Sequence, residues 1–125
     1  MSRLLIPLIA LLLAPLAAAR AGDSALVMVQ SPGCSACAKW EREVAPVYEK
    51  TDEASRFPLR RMDIAQARHD SSLALATPPY FTPTFILVED GREVGRIIGY
   101  SNDLSFWGLF DIETRKLAAL PASGN

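Results

Sequence analysis

The sequence has only two cysteines, a single histidine and almost no net charge, at −1. Two cysteines cannot staple a disulfide-rich mini-protein or complete a four-cysteine zinc site. The one histidine, His69, sits in the polar stretch Ala67-Arg68-His69-Asp70 without further metal ligands, so a solvated side chain is expected. Thirteen Lys and Arg against 14 Asp and Glu leave no basic field, which argues against a nucleic-acid partner held by its phosphates. A chain of 125 residues allows one domain of ordinary size and no separate cofactor module. What the sequence does have is apolar side chains, 50% against 22% charged, enough to bury a core.

The longest apolar run comes first. Arg3 precedes Leu4 to Leu13, and Ala17-Ala18-Ala19 and Ala19-Arg20-Ala21 both have the A-x-A pattern of a cleavage site. Residues 1–21 read as a secretory signal peptide, cut after Ala19 or Ala21, and residues 22–125 as a single domain. The run falls short of the roughly 20 residues that span a bilayer; an uncleaved anchor is the competing reading. Export would place the cysteines in an oxidising compartment.

Strand and helix signals alternate through the rest. Ala25 to Gln30 is a continuous apolar run suited to a strand buried on both faces, and Ser31-Pro32-Gly33 breaks it. A helix is expected from about Cys34 to Lys50, with Cys37, Trp40, Val44, Val47 and Tyr48 on its buried face and a kink or early end before Pro46. Thr51 to Arg56 reads as a polar loop or a helical turn. Pro58 to Ile64 is a second strand, and Ala65 to Ala76 a weak helix ended by Thr77-Pro78-Pro79. Thr84 to Glu89 and Glu93 to Gly99 flank Asp90-Gly91, a hairpin signal. Asn102 and its neighbours offer caps for a helix over Leu104 to Leu120, in which Gly108 suggests a close packing contact. The order predicts an α/β domain with a mixed four-stranded sheet flanked by helices.

One motif carries recognisable chemistry. Cys34-Ser35-Ala36-Cys37 is a C-x-x-C at a strand-to-helix junction. A helix N-terminus has unpaired N–H groups and the positive end of a dipole, so a thiolate at Cys34 is favoured there. Cys34 would be the exposed nucleophile and Cys37 the buried resolving thiol, one turn later. Attack on a disulfide sulfur needs neither metal nor organic cofactor, and none is expected. Two readings compete with this one: the two thiolates could hold copper(I), as in a metallochaperone, or their disulfide state could signal in a redox sensor. A structural disulfide closing so short a loop would add little stability.

The second feature is Phe81-Thr82-Pro83-Thr84, a proline at the start of a strand. Taken alone its peptide bond is expected to be trans, since cis occurs at about 5–6% of X–Pro bonds. With Cys34-Ser35-Ala36-Cys37 before it and Gly99-Tyr100 after, the chain resembles the thioredoxin superfamily over about Ala25 to Leu120. Within it the chain looks most similar to small periplasmic thioredoxin-like proteins of the SoxS type, found with bacterial sulfur oxidation. The carrying residues are Cys34 to Trp40, Pro58 to Asp63, Phe81 to Phe85, Asp90 to Arg96 and Phe106 to Leu109.

The resemblance implies a thioredoxin-like fold, a cis bond before Pro83, and a Pro83 ring that shapes the site. It implies that Thr82 offers its backbone to a bound substrate strand. It also implies a periplasmic monomer that reduces a disulfide or mixed disulfide on a partner protein and is recharged by a membrane thiol carrier. Some residues depart from the pattern. Thioredoxins proper have Trp before the first cysteine and Gly-Pro between the two; here Gly33 precedes and Ser35-Ala36 intervenes. Their buried acid on the leading strand is missing from Leu26 to Val29, so water or a substrate group is expected to take the Cys37 proton. The dipeptide also lacks the histidine of oxidising relatives, which favours a reductant or isomerase. Trp40 and Trp107 are expected in the core or a groove wall. Arg60, Arg61, Arg92 and Arg96 read as solvated strand charges, and Glu41 and Glu43 point to different helix faces.

Overall fold

The computed structural model describes residues 24–120, so the expected signal peptide lies outside the described residues. Its elements are β1 (Ala25–Gln30), α1 (Ser35–Glu43), α2 (Ala45–Tyr48), α3 (Asp52–Arg56), β2 (Leu59–Asp63), α4 (Ile64–His69), β3 (Thr84–Glu89), β4 (Arg92–Ile98) and α5 (Asp103–Ala119). The sheet order is β2-β1-β3-β4. β1 runs parallel to β2 and antiparallel to β3, and β3 pairs antiparallel with β4. This is the mixed four-stranded sheet that the sequence predicts.

β1 is apolar throughout because it is buried on both faces. Successive side chains of a strand point to opposite sides. Leu26 and Met28 enter one core with Trp40, Tyr48, Phe57, Phe85 and Phe106, while Val27 and Val29 enter a second with Met62, Ile86 and Val88. In the first core Phe106 meets Trp40 and Phe85 edge-on, with ring centroids 5.6 and 5.0 Å apart. Asp90 and Gly91 both take left-handed φ values, 52° and 75°, which lets two residues turn β3 into β4.

Pro46 divides the first helical stretch as expected. α1 ends at Glu43, and α2 starts with the proline in its first turn, where its missing N–H costs nothing. The break also turns Val47 out to solvent, at 53% exposure, against the expectation of a buried side chain. The polar Thr51–Arg56 stretch forms a short helix, because Thr51 Oγ1 caps it and Asp52 and Glu53 occupy its first turn. The weak helix stops at His69. There the Asp70 carboxylate accepts hydrogen bonds from the backbone and hydroxyl of Ser72, a local turn that competes with helix.

Two further expectations need correction. Gly108 lies on the exposed side of α5 with no atom close to where a Cβ would stand, so it marks no close contact. Arg96 is not a solvated charge: at 17% side-chain exposure it donates to Glu93 Oε1 and to the Thr77 carbonyl, each at 2.6 Å. It thereby ties the irregular stretch before β3 to β4.

Candidate functional site

The site is built where β1 ends. Ser31-Pro32-Gly33 reverses the chain, and Gly33 at φ 73° takes the left-handed conformation the turn requires. The Cys34 N–H donates back to the Ser31 carbonyl at 3.3 Å. Cys34 thus arrives in extended conformation at the N-cap of α1, and its Sγ accepts a hydrogen bond from the Cys37 N–H at 3.1 Å. A sulfur at this position faces donors that the helix itself leaves unpaired. Cys34 is half-buried and Cys37 is only 5% exposed. The two are joined in a disulfide, with Cα atoms 5.2 Å apart.

The loop of Thr82 and Pro83 meets the turn that precedes Cys34. The Thr82–Pro83 peptide is cis, as the resemblance implies and against the expectation for an isolated X–Pro bond. Thr82 Oγ1 lies 2.8 Å from Ser31 Oγ, which links this loop to the turn before Cys34. The buried Pro83 is held by its carbonyl, which accepts from the Gly99 N–H at 2.8 Å. The structure therefore links the loop of Thr82 and Pro83 to the turn that presents Cys34 and Cys37. His69 ends α4 with its side chain exposed. Among the described residues no group of three or more His, Cys, Asp or Glu side chains is arranged to hold a metal ion.

Other features of this region were not read from the sequence. Just before Thr82 in the chain, Phe81 and Tyr80 are exposed at 68% and 64%, and the Arg68 guanidinium lies 4.5 Å from the centre of the Tyr80 ring. An open cleft of about 450 Å³ is lined by Ser31, Cys34, Cys37 and Glu41. Glu41 is fixed by a two-pronged pair with Arg61 of β2, Nε to Oε1 at 2.6 Å and Nη2 to Oε2 at 2.8 Å, so Arg61 is not a free surface charge either. This bond to Glu41 raises the Arg61 pKa further. The sequence signal for Glu41 beside the cysteines lay in its spacing of four from Cys37 on one helix.

The far end of α1 is clasped to the connection before α5. Lys39 Nζ donates to the Ser101 carbonyl at 2.7 Å, and the Tyr100 hydroxyl to Glu43 Oε2 at 2.6 Å. Burial and the neighbouring Glu43 carboxylate both push the Tyr100 pKa above the ordinary tyrosine value. Trp40, fully buried beneath the site, leaves its indole N–H without a protein partner.

A C-x-x-C disulfide at a helix N-terminus, with a cis-proline loop bonded to the turn that presents it, defines a thiol–disulfide oxidoreductase. The comparisons with known proteins agree. The family profile described as Thioredoxin-like domain matches residues 14–111, and the chain belongs to that family. The crystal structure of the periplasmic thioredoxin SoxS from Paracoccus pantotrophus, in its reduced form, is similar at TM-score 0.70 and 36% sequence identity. That match covers 76% of this chain and 99% of that one. A chain from the structure describing thiol resolution in yeast mitochondrial 1-Cys peroxiredoxin reaches TM-score 0.49 and 16% identity, over 74% of this chain and 82% of that one, and carries no argument. No curated protein sequence matches the chain.

Proposed function

We propose that the protein works in the periplasm as a reductant of a partner protein's disulfide, after export by the segment over residues 1–21. Cys34 is the nucleophile. In the disulfide its Sγ accepts from the Cys37 N–H at the start of α1, the observation that carries the reading, and the same donors stabilise a thiolate once the bond is reduced. The thiolate attacks a partner sulfur, the partner's other sulfur leaves, and a mixed disulfide forms on Cys34. Thr82 grips the partner's backbone as an added strand, and the Pro83 ring shapes the surface against which the mixed disulfide lies. Cys37 then attacks Cys34 Sγ, which releases the partner as a dithiol and leaves the Cys34–Cys37 disulfide. Two electrons pass to the partner in each cycle, and a membrane thiol carrier returns them.

Ser35-Ala36 supports this direction of flow. Neither side chain is a cation that would further stabilise a thiolate at Cys34, and a less stabilised reduced form is the stronger reductant. The similarity to a periplasmic thioredoxin supports the compartment, and a carrier protein of sulfur oxidation is the partner class it suggests.

Trapping tests the assignment. Mature Cys37→Ser protein, reduced and mixed with a disulfide-containing periplasmic fraction, is expected to accumulate covalent adducts that dithiothreitol dissolves. The Cys34→Ser protein is expected to form none. Adducts formed through Cys37 instead would reverse the two roles. Adducts absent from both variants would remove the dithiol mechanism.

A further inference from the structure

In the cycle above, Cys37 must lose its proton before it can attack, yet it is buried among apolar side chains. Such surroundings disfavour the thiolate. β1, which leads into the site, offers no ionisable side chain to help. The acceptor has to come from another element.

Glu41 follows Cys37 by four residues on α1 and so lies one turn along the same helix face, where Cβ atoms are about 5–6 Å apart. Its carboxylate is the only one lining the cleft that both cysteines line, among the described residues. Arg61 fixes the carboxylate's direction through two short hydrogen bonds, one to each oxygen. A carboxylate has about four lone-pair sites, so this fork leaves others free to accept from water. The pair is partly exposed, which lets water reach it. The other charged groups around it are Glu49, whose Oε1 lies 3.9 Å from Arg61, and Asp63, whose carboxylate is turned to cap α4. On α1 itself, Lys39 is engaged with the Ser101 carbonyl, and Arg42 is exposed in the last turn.

We propose that Glu41 is the proton acceptor for Cys37 in the resolving step, through one cleft water, with Arg61 as its positioning residue. The inference rests on the dithiol reading of the site. With the partner held on Cys34, the Cys37 Sγ proton passes through the water to the Glu41 carboxylate. The Cys37 thiolate attacks Cys34 Sγ, the Cys34–Cys37 bond forms, and the bond from Cys34 to the partner sulfur breaks. The departing partner thiolate takes the proton from Glu41, so protons and electrons balance with no further reagent. Glu41 thus does from the helix what an acid on the leading strand would do.

The test is a stopped-flow reaction of the reduced mature protein with 5,5′-dithiobis(2-nitrobenzoate). The first thionitrobenzoate released reports attack by Cys34, and the second reports resolution by Cys37. Glu41→Gln is expected to slow the second release by at least about tenfold without slowing the first. Glu41→Asp should recover part of the rate. A second release that is unchanged in Glu41→Gln overturns the proposal. So does equal slowing by Gln and Asp, since that marks a structural role. A wild-type protein with no second release overturns the dithiol reading itself, and the two failures are told apart by which protein shows them.

Discussion

Ser31 and Thr82 stand 51 positions apart in the chain, and their hydroxyls share a hydrogen bond of 2.8 Å. It joins the turn that presents Cys34 to the loop that carries the cis Thr82–Pro83 peptide. The two halves of the proposed site are therefore held together by a pair of side chains outside the C-x-x-C itself. Removing one hydroxyl should loosen the grip on the partner more than the chemistry at sulfur. Ser31→Ala is expected to cost about 0.5–1.5 kcal/mol of stability in chemical denaturation and to raise KM for a protein disulfide with kcat largely kept. A lowered kcat at unchanged KM would show that the bond serves the sulfur chemistry instead.

The glycines at positions 33 and 108 should respond to alanine with opposite signs. Nothing lies within 4 Å of either missing Cβ, so backbone conformation alone decides. At φ 73° Gly33 is left-handed, where an L side chain costs about 1–2 kcal/mol. Gly108 is inside α5, where alanine is better than glycine by about 1 kcal/mol. Thermal melts of Gly33→Ala and Gly108→Ala should therefore move down and up respectively. A melt raised by Gly33→Ala would mean that the turn before Cys34 is not the one described.

Tyr48 holds the end of the helical crossover to the strand that follows. Its buried hydroxyl donates to the Phe57 carbonyl at 2.5 Å, just before β2. Tyr48→Phe leaves that carbonyl unpaired, and a loss of about 1–3 kcal/mol is expected in urea denaturation. The reduction potential of Cys34–Cys37 should not change. A shifted potential would reveal a coupling to the site that the packing does not suggest.

Alkaline pH should unfold the protein through the same tyrosine and through Tyr100. Burial is the main cause that raises both pKa values, helped by Glu53 at Tyr48 and by Glu43 at Tyr100. A folded-state pKa above the unfolded one leaves stability complete below the ordinary tyrosine value of about 10 and erodes it as pH rises beyond. Denaturation midpoints measured from pH 8 to 12 should hold and then fall about pH 10. A flat profile to pH 12 would contradict the raised values.

Much of this architecture was legible in the sequence because it is written in local pattern. The apolar run of β1, the Asp90-Gly91 turn, the proline break at Pro46 and the Asn102 cap of α5 each predict their element without reference to the rest of the chain. The C-x-x-C was legible for the same reason, whereas Thr82-Pro83 taken alone predicts a trans bond and is read as cis only through the family resemblance. What pattern missed depends on partners far along the chain. Arg96 reads as a surface charge until the Thr77 carbonyl is found beside it, and the stretch before β3 owes its path to such contacts, including the Ala74–Arg92 bridge. Val47 fits a buried helical spacing, but the break at Val44 starts a new helix with a different face inward. Glu41 was noticed only as failing to pair with Glu43; its spacing from Cys37 gains meaning once Arg61 holds it over the cleft.

The central claim is that the Cys34–Cys37 pair gives up electrons to a partner. Its reduction potential, measured on the mature protein by equilibration in a dithiothreitol or glutathione redox buffer, tests that claim most directly. The account predicts a value toward the thioredoxin end, at about −270 mV. A value toward about −120 mV would contradict it and make the protein a donor of disulfides.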